Sequence, residues 1–177
     1  MESSPKRIYI IGSSGSGKTT LGKLLSEKLN IPHISLDEIA YPNQIESPNE
    51  ERFKHISSLA NQDKWITEGI YVNWTKKLMD KADLIIWLDS PYSTTLLRVI
   101  KRFFVHKLRG DEKYGIKNTL KFIWNLRKYY YPKPGFEEGH SDKTTTRIQT
   151  KRVLAEYRNK VKKIQSSKDL KNFLENI

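Results

Sequence analysis

The sequence predicts an α/β fold, a parallel five-stranded sheet with helices on both faces. Three observations predict it. Short apolar runs alternate with stretches of helical period. Each of the first four runs ends in glycine or an acidic residue, and the residues with evident chemistry gather at those ends. In such sheets ligands sit outside the carboxyl ends of the strands.

The first run, Arg7 to Ile11, reads as a buried strand ending at Gly12. From Lys18 the period becomes helical, with Leu21, Leu24, Leu25 and Leu29 on one face. Asn30 and Pro32 stop that helix. His33 to Leu36 is a second strand, ending at Asp37. Residues 40–48 read as a loop, and Ser47-Pro48-Asn49-Glu50 as a helix start with Ser47 capping. That helix runs to about Ala60. Trp65 to Thr67 is a third strand, ending at Glu68-Gly69. Leu84 to Leu88 is a fourth, ending at Asp89, and a helix from about Ser93 through Arg102 follows. Val161 to Ile164 is a weak fifth strand before a helix over 168–175 that Ser166 or Ser167 caps.

Residues 103–145 break this rhythm and read as an inserted helical lid on one domain spanning 1–177. Between 101 and 133 stand Lys101, Arg102, Lys107, Arg109, Lys113, Lys117, Lys121, Arg127, Lys128 and Lys133, opposed only by Asp111 and Glu112. Aromatic residues are interleaved: Phe103, Phe104, Tyr114, Phe122, Trp124, Tyr129, Tyr130 and Tyr131. Phe122, Leu126 and Tyr129 fall at helical spacing, which assigns much of this set to a lid core.

Composition bounds the function. The 177 residues have no cysteine, which excludes disulfides and thiolate metal sites. His33, His55, His106 and His140 show no ligand spacing. No apolar run is long enough for a signal-peptide core or a membrane span, so a soluble, cytoplasmic protein with no membrane partner is expected. The net charge of +12 points to an anionic partner, whether nucleic acid, acidic membrane or phosphorylated small molecule.

One motif selects among these. Gly12-Ser13-Ser14-Gly15-Ser16-Gly17-Lys18-Thr19 fits G-x-x-x-x-G-K-[ST] at every fixed position, after a strand and at the start of a helix. A polyphosphate has to be wrapped by backbone N–H groups, so side chains must stay out of the way. Gly12, Gly15 and Gly17 are expected to take positive φ and allow close approach. The helix beginning at Lys18, Thr19 and Thr20 aims its free amides at the anion. Lys18 is expected at the β- and γ-phosphates and Thr19 at Mg²⁺. The expected ligands are ATP or GTP with Mg²⁺. A metal of this kind also needs a nearby acid. Glu68 is the first choice; Asp89 is either a second metal residue or a cap or turn residue of the next helix.

The motif loop resembles, together with Leu36-Asp37, Trp65-Ile-Thr-Glu-Gly-Ile-Tyr71, Ala82 to Pro91 and Arg98-Val-Ile-Lys-Arg102, the adenylate-kinase-like P-loop kinases. Within them it is most similar to the bacterial "DNA topology modulation protein" group. The resemblance implies the sheet order 2-3-1-4-5, a three-layer P-loop NTPase fold, an acceptor-binding segment at about 37–64 and a closing lid. It implies ATP as the donor, Arg98 packing on the nucleotide base and Arg102 on the transferring phosphates. A solvated helix arginine is the plain alternative for each. Nucleoside monophosphate kinases carry an arginine after the strand-3 acid; here Glu68-Gly-Ile-Tyr71 has none, and Arg52 is a conceivable substitute. Sugar and shikimate kinases carry an acid after strand 2, which Asp37 resembles. Asp37 is thus either an acceptor-binding residue or base, or a helix cap.

Three functions follow as expectations. One is an ATP-dependent kinase of a small-molecule acceptor, nucleoside-like or hydroxyl-bearing, with Lys18, Arg102 and Asp37 as catalytic residues and Arg109, Arg127 or Arg147 closing over the phosphates. Another is a nucleotide-dependent nucleic-acid binder affecting DNA topology, with non-specific binding through the basic lid. The last is a slow ATPase or nucleotide switch; the guanine-reading N-K-x-D run is missing.

Overall fold

The computed structural model describes residues 4–108, 116–136 and 145–177. Arg109, Asp111, Glu112, Lys113, Tyr114 and His140 lie outside the described residues.

The strands are β1 (Arg7–Gly12), β2 (His33–Ser35), β3 (Trp65–Gly69), β4 (Leu84–Leu88) and β5 (Val161–Ile164). They form one parallel sheet in the order β2-β3-β1-β4-β5. The helices are α1 (Lys18–Leu29), α2 (Leu36–Ala40), α3 (Asn49–Ala60), α4 (Lys76–Lys81), α5 (Tyr92–Leu108), α6 (Ile116–Tyr130), α7 (Arg147–Ala155) and α8 (Ser167–Asn176). This is the three-layer P-loop NTPase fold, with a helical insertion between β4 and β5.

The sheet is buried on both faces, and the period of two along each strand divides its side chains between two cores. Ile8 and Ile10 of β1, Ile66 of β3 and Ile86 and Leu88 of β4 pack with Leu21 and Leu25 of α1 and Phe173 of α8. Tyr9, Ile11, Trp65, Ile85 and Trp87 point the other way, onto Ile56, Leu78, Met79 and Leu154. Each such aliphatic side chain contributes about 2 kcal/mol on burial. Register follows the same alternation: Ile10 sits beside Glu68 and Ile86, Ile11 beside Gly69 and Trp87. The carboxyl ends of β1, β3 and β4 are thereby brought level, which places the Gly12 loop, Glu68 and Asp89 at one edge.

Several boundaries differ from expectation, each for a local reason. Leu24, assigned to the apolar face of α1, is 42% exposed; Gly22 takes the buried position, where an added Cβ would collide with the His33 ring. Strand β2 stops at Ser35, so Leu36 and Asp37 begin α2. No side-chain cap precedes α3: Pro48 holds the cap position, and the Ser47 hydroxyl donates to Glu51 instead. Ser166 does cap α8, in a reciprocal capping box with Asp169. Helix α4 had no clear signal, since its six residues are too few to show a period. Phe122, expected in a lid core, is 44% exposed, while Leu126 and Tyr129 are buried as expected. Among the described residues no helix is long and apolar enough to cross a membrane.

Candidate functional site

The site begins where β1 runs out. Gly15 and Gly17 take φ of 79° and 100°, values an L residue adopts only under strain. Gly12 is different from expectation: its φ is not positive, and glycine is required there by proximity, because a Cβ would lie 2.7 Å from the Leu88 carbonyl oxygen and 2.8 Å from Ser16 Oγ. Gly17 in the left-handed conformation then starts α1 without a side-chain cap, so its first amides are not satisfied by a neighbouring hydroxyl. Ser16 Oγ is buried and has no hydrogen-bond partner among the described residues. An uncapped helix start beside an orphaned buried hydroxyl is chemistry that suits a polyanion.

Lys18 crosses this loop. Its ammonium donates to the Ser13 carbonyl oxygen at 3.1 Å and lies 3.9 Å from Glu68 Oε2. Burial pushes the Lys18 ammonium below its ordinary pKa; the carboxylates of Glu68 and Asp37 oppose that shift, and the Arg102 guanidinium adds to it. Three residues from three other segments therefore act electrostatically on the Lys18 ammonium. That convergence gathers Lys18, Glu68, Asp37 and Arg102 in one site.

Glu68, only 2% exposed, accepts hydrogen bonds at Oε1 from the hydroxyls of Thr19 (2.9 Å) and Ser35 (3.1 Å). A buried carboxylate beside a P-loop hydroxyl is an all-oxygen donor set, which fits Mg²⁺. Among the described residues no three His, Cys, Asp or Glu side chains gather as a metal cage. A Mg²⁺ ion here would rely on Thr19, Glu68 and the phosphates of its nucleotide, as is usual for this ion.

Asp89 is occupied differently. Its side chain is fully buried, and Arg147 grips it bidentately, Nε to Oδ1 at 2.6 Å and Nη2 to Oδ2 at 2.8 Å. Lys163 of β5 adds a third contact at 2.9 Å and stands over the Trp87 ring. The hydrogen bond to Asp89 raises the Arg147 pKa further. Arg147 opens α7, so this cluster ties the far end of the insertion to β4 and β5. Arg147 was named in the sequence only as a lid cation, and Lys163 was not singled out; nothing in a lone lysine on a strand marks it as the partner of an acid 74 residues earlier.

On α5, Arg98 donates to the Ser16 carbonyl oxygen at 3.0 Å, which holds it against the back of the loop. Arg102, one turn on, lies over the Phe122 ring of α6 at 5.5 Å. Tyr130 closes α6 onto the loop: its hydroxyl donates to the Ser90 carbonyl oxygen at 2.6 Å and lies within 3.3 Å of Ser13 Oγ and 3.2 Å of Thr95 Oγ1. The run Tyr129-Tyr130-Tyr131 was visible as a group, but only the fold separates the three. Tyr129 is buried, its phenol pushed up to about 12 by that burial; Tyr130 touches the loop; Tyr131 is exposed. Arg127 and Lys128 both lie over the ring of the half-exposed Trp124.

On the other side, Asp37 lies in the first turn of α2 and accepts a hydrogen bond at Oδ1 from the Tyr71 hydroxyl, 2.8 Å away. The cap position of α2 belongs to Ser35. Burial, and then the Asp37 charge, keep the Tyr71 phenol far above its usual range, so it remains a donor. The Tyr71 carbonyl oxygen accepts from Tyr9 and Thr75, which fixes the backbone beneath it. Tyr71 stands in the stretch where nucleoside monophosphate kinases place an arginine. Arg52 does not replace that arginine: it is buried, donates to the Ser47 carbonyl oxygen at 2.9 Å, and lies over Trp74. Between α2 and α6 is an open cleft of about 650 Å³ lined by Asp37, Glu38, Tyr41, Lys121 and Phe122.

Comparison with known proteins agrees with this construction. A family model described as an AAA domain matches residues 8–103, more than half of the chain, and the chain belongs to that family. An uncharacterised protein, YqaC, of Bacillus subtilis is 32% identical over 65% of this chain and 68% of its own. A shikimate kinase of Sulfurihydrogenibium is 32% identical over 53% of this chain and 66% of its own. The chain thus spans about two thirds of the length of these two relatives. A shikimate kinase of Azobacteroides pseudotrichonymphae is 39% identical over 65% of this chain and 81% of its own. Among solved structures, the YorR protein of Bacillus subtilis in complex with phosphorylated GDP covers 94% of this chain, and is covered for 92% of its own, at 18% identity and a TM-score of 0.50, a likeness of fold. Relatives with an assigned activity are small-molecule kinases, which supports a phosphotransferase; they lend no support to the DNA topology modulation group in particular.

Proposed function

We propose that this protein is a kinase that transfers the γ-phosphoryl group of ATP to a hydroxyl group of a small-molecule acceptor bound in the cleft between α2 and α6. The observation that carries it is the convergence on Lys18: the buried Glu68, the Asp37 carboxylate and the Arg102 guanidinium all act on this P-loop lysine, and Asp37 also lines that cleft.

The loop from Gly12 to Thr20 holds the triphosphate through backbone amides, and Lys18 and Arg102 neutralise the charge that develops on the moving phosphoryl group. Arg98 holds the rear of the loop through the Ser16 carbonyl. Thr19 and Glu68 would hold Mg²⁺, which neutralises phosphate charge when bound. Asp89, committed to Arg147 and Lys163, positions the insertion and is not proposed as a ligand. The acceptor hydroxyl forms the new O–P bond as the bond from the γ-phosphorus to the bridging oxygen breaks; its proton passes to the Asp37 carboxylate, and ADP leaves. Tyr71 donates to Oδ1 of Asp37, and Oδ2 is the oxygen assigned to take the acceptor's proton. An acceptor that is already a phosphate would need no base, so the presence of an anchored Asp37 favours a hydroxyl. Helices α5 and α6 serve as the lid, since an open site would lose ATP to water.

The test is ADP formation with and without a panel of nucleosides, sugars, polyols and hydroxy acids. At least one member is expected to raise turnover well above the unstimulated rate, and Asp37→Asn to remove that rise. Hydrolysis that ignores every member would identify a slow ATPase instead.

A further inference from the structure

We propose that the acceptor is a neutral or amine-bearing hydroxyl compound with a flat or ring-shaped apolar face, and not a carboxylate. This rests on the kinase reading above and names the class of its second substrate.

The electrostatics of the cleft support it. Its lining contains two carboxylates, Asp37 and Glu38, against one ammonium, Lys121. The local balance is negative in a chain whose net charge is +12. The stretch of sequence that follows Asp37 has the same bias, although Glu50 in it pairs with Lys54. From residue 37 to residue 51 the sequence holds Asp37, Glu38, Glu46, Glu50 and Glu51 and no lysine or arginine. The next cation, Arg52, is buried, donating to the Ser47 carbonyl and paired with Glu46 at 3.5 Å. Arg102 stands over Phe122, and its charge is felt at Lys18, on the phosphate side. Among the described lining residues, a bound carboxylate would face two like charges and one cation, the Lys121 ammonium. A hydroxyl or an ammonium would find acceptors in both acids.

The walls add the shape. Tyr41 from the end of α2 and Phe122 from α6 both line the cleft, and an aromatic surface favours a planar or ring face. Carboxylate acceptors beside aromatic side chains suit a ring carrying several hydroxyls.

The inference separates this chain from the relatives named shikimate kinase, whose named substrate is a carboxylate.

The experiment compares matched ring compounds that differ in charge: an amino sugar, the parent sugar and the sugar acid, with nucleosides and shikimate alongside. Acceptor-dependent ADP formation is read in the intact wild-type protein and in Glu38→Gln and Glu38→Lys. The expected order of kcat/KM is amine or neutral above acid, by on the order of tenfold or more for one full charge in a partly screened cleft. Glu38→Lys should narrow or invert that order while the ATP-induced rise in Tm stays unchanged. Highest turnover with shikimate or a sugar acid would overturn the inference and leave the kinase reading standing. Turnover indifferent to charge in all three proteins would overturn it as well. No stimulation by any compound would remove the kinase reading, and the inference with it.

Discussion

Two regions of the chain differ in charge, the first contributing Asp37, Glu38 and Tyr41 to the cleft and the second Lys121 and Phe122. Residues 37–51 carry five acids and no lysine or arginine; α5 and α6 carry eight lysines and arginines and no acid. The basic region touches the Gly12–Thr19 loop through Arg98 and Tyr130, and the Arg102 charge is felt at Lys18. The acidic region presents Asp37, held by Tyr71, and Glu38. A +12 chain thus does not spread its charge evenly: cations gather where a polyanion is expected, and carboxylates where an uncharged or cationic partner is. The difference teaches that net charge alone does not describe the charge on each side of a site.

The largest test breaks the basic half. Lys18→Ala should lower turnover about a thousandfold and abolish the ATP-induced rise in Tm. An unchanged rise would contradict the assignment of the loop. Next, Asp37→Asn should reduce acceptor-dependent turnover about a hundredfold. The ATP-induced shift should persist, because Asp37 belongs to the other region. Loss of both together would merge the two halves.

Smaller effects concern the scaffold. Arg147→Ala leaves Asp89 buried with only Lys163, and should lower stability by about 2 kcal/mol, on the order of 5 °C in Tm. A thermal melt of the variant checks it; no change would mean that Lys163 alone suffices. Asp83 supplies a control far from both regions. Its burial would raise its pKa, but the Arg7 guanidinium at 2.7 Å and the Lys6 and Arg7 amides outweigh that and hold it below the usual carboxylate range. A depressed carboxylate contributes stability above its unfolded pKa and loses it as pH falls through the folded value. Asp83→Asn should therefore cost under about 1 kcal/mol at neutral pH, given its partial exposure, and the gap from wild type should close below about pH 4. Denaturant titrations at two pH values measure it, with ATP binding untouched.

The geometry of the Gly12–Thr19 loop was legible in the sequence because it is local. Eight consecutive residues must have one composition to wrap a phosphate, and strand and helix periods on either side place them. Sheet order was legible through the resemblance that the motif order carries, and the Glu68 position beside Thr19 through its place at a strand end. The acceptor half was not, since it is made by contacts between distant segments. Tyr71 looked like a missing arginine, and only the fold shows it reaching Asp37. Arg52 looked available and is buried. Asp89 sat at a strand end like a metal residue, and its partners arrive from residues 147 and 163. Gly12 followed the motif for a reason other than φ, visible only once Leu88 and Ser16 are beside it. Local pattern encodes backbone geometry; it does not encode which distant charge neutralises a buried one.

The central claim concerns where the phosphoryl group goes. Phosphorus-31 NMR of the wild-type protein turning over ATP with Mg²⁺ and a stimulating hydroxyl compound follows it directly. The account predicts a new phosphomonoester resonance growing in step with ADP, and its loss in Asp37→Asn. Inorganic phosphate as the sole product, formed at the same rate with or without the hydroxyl compound, would contradict it.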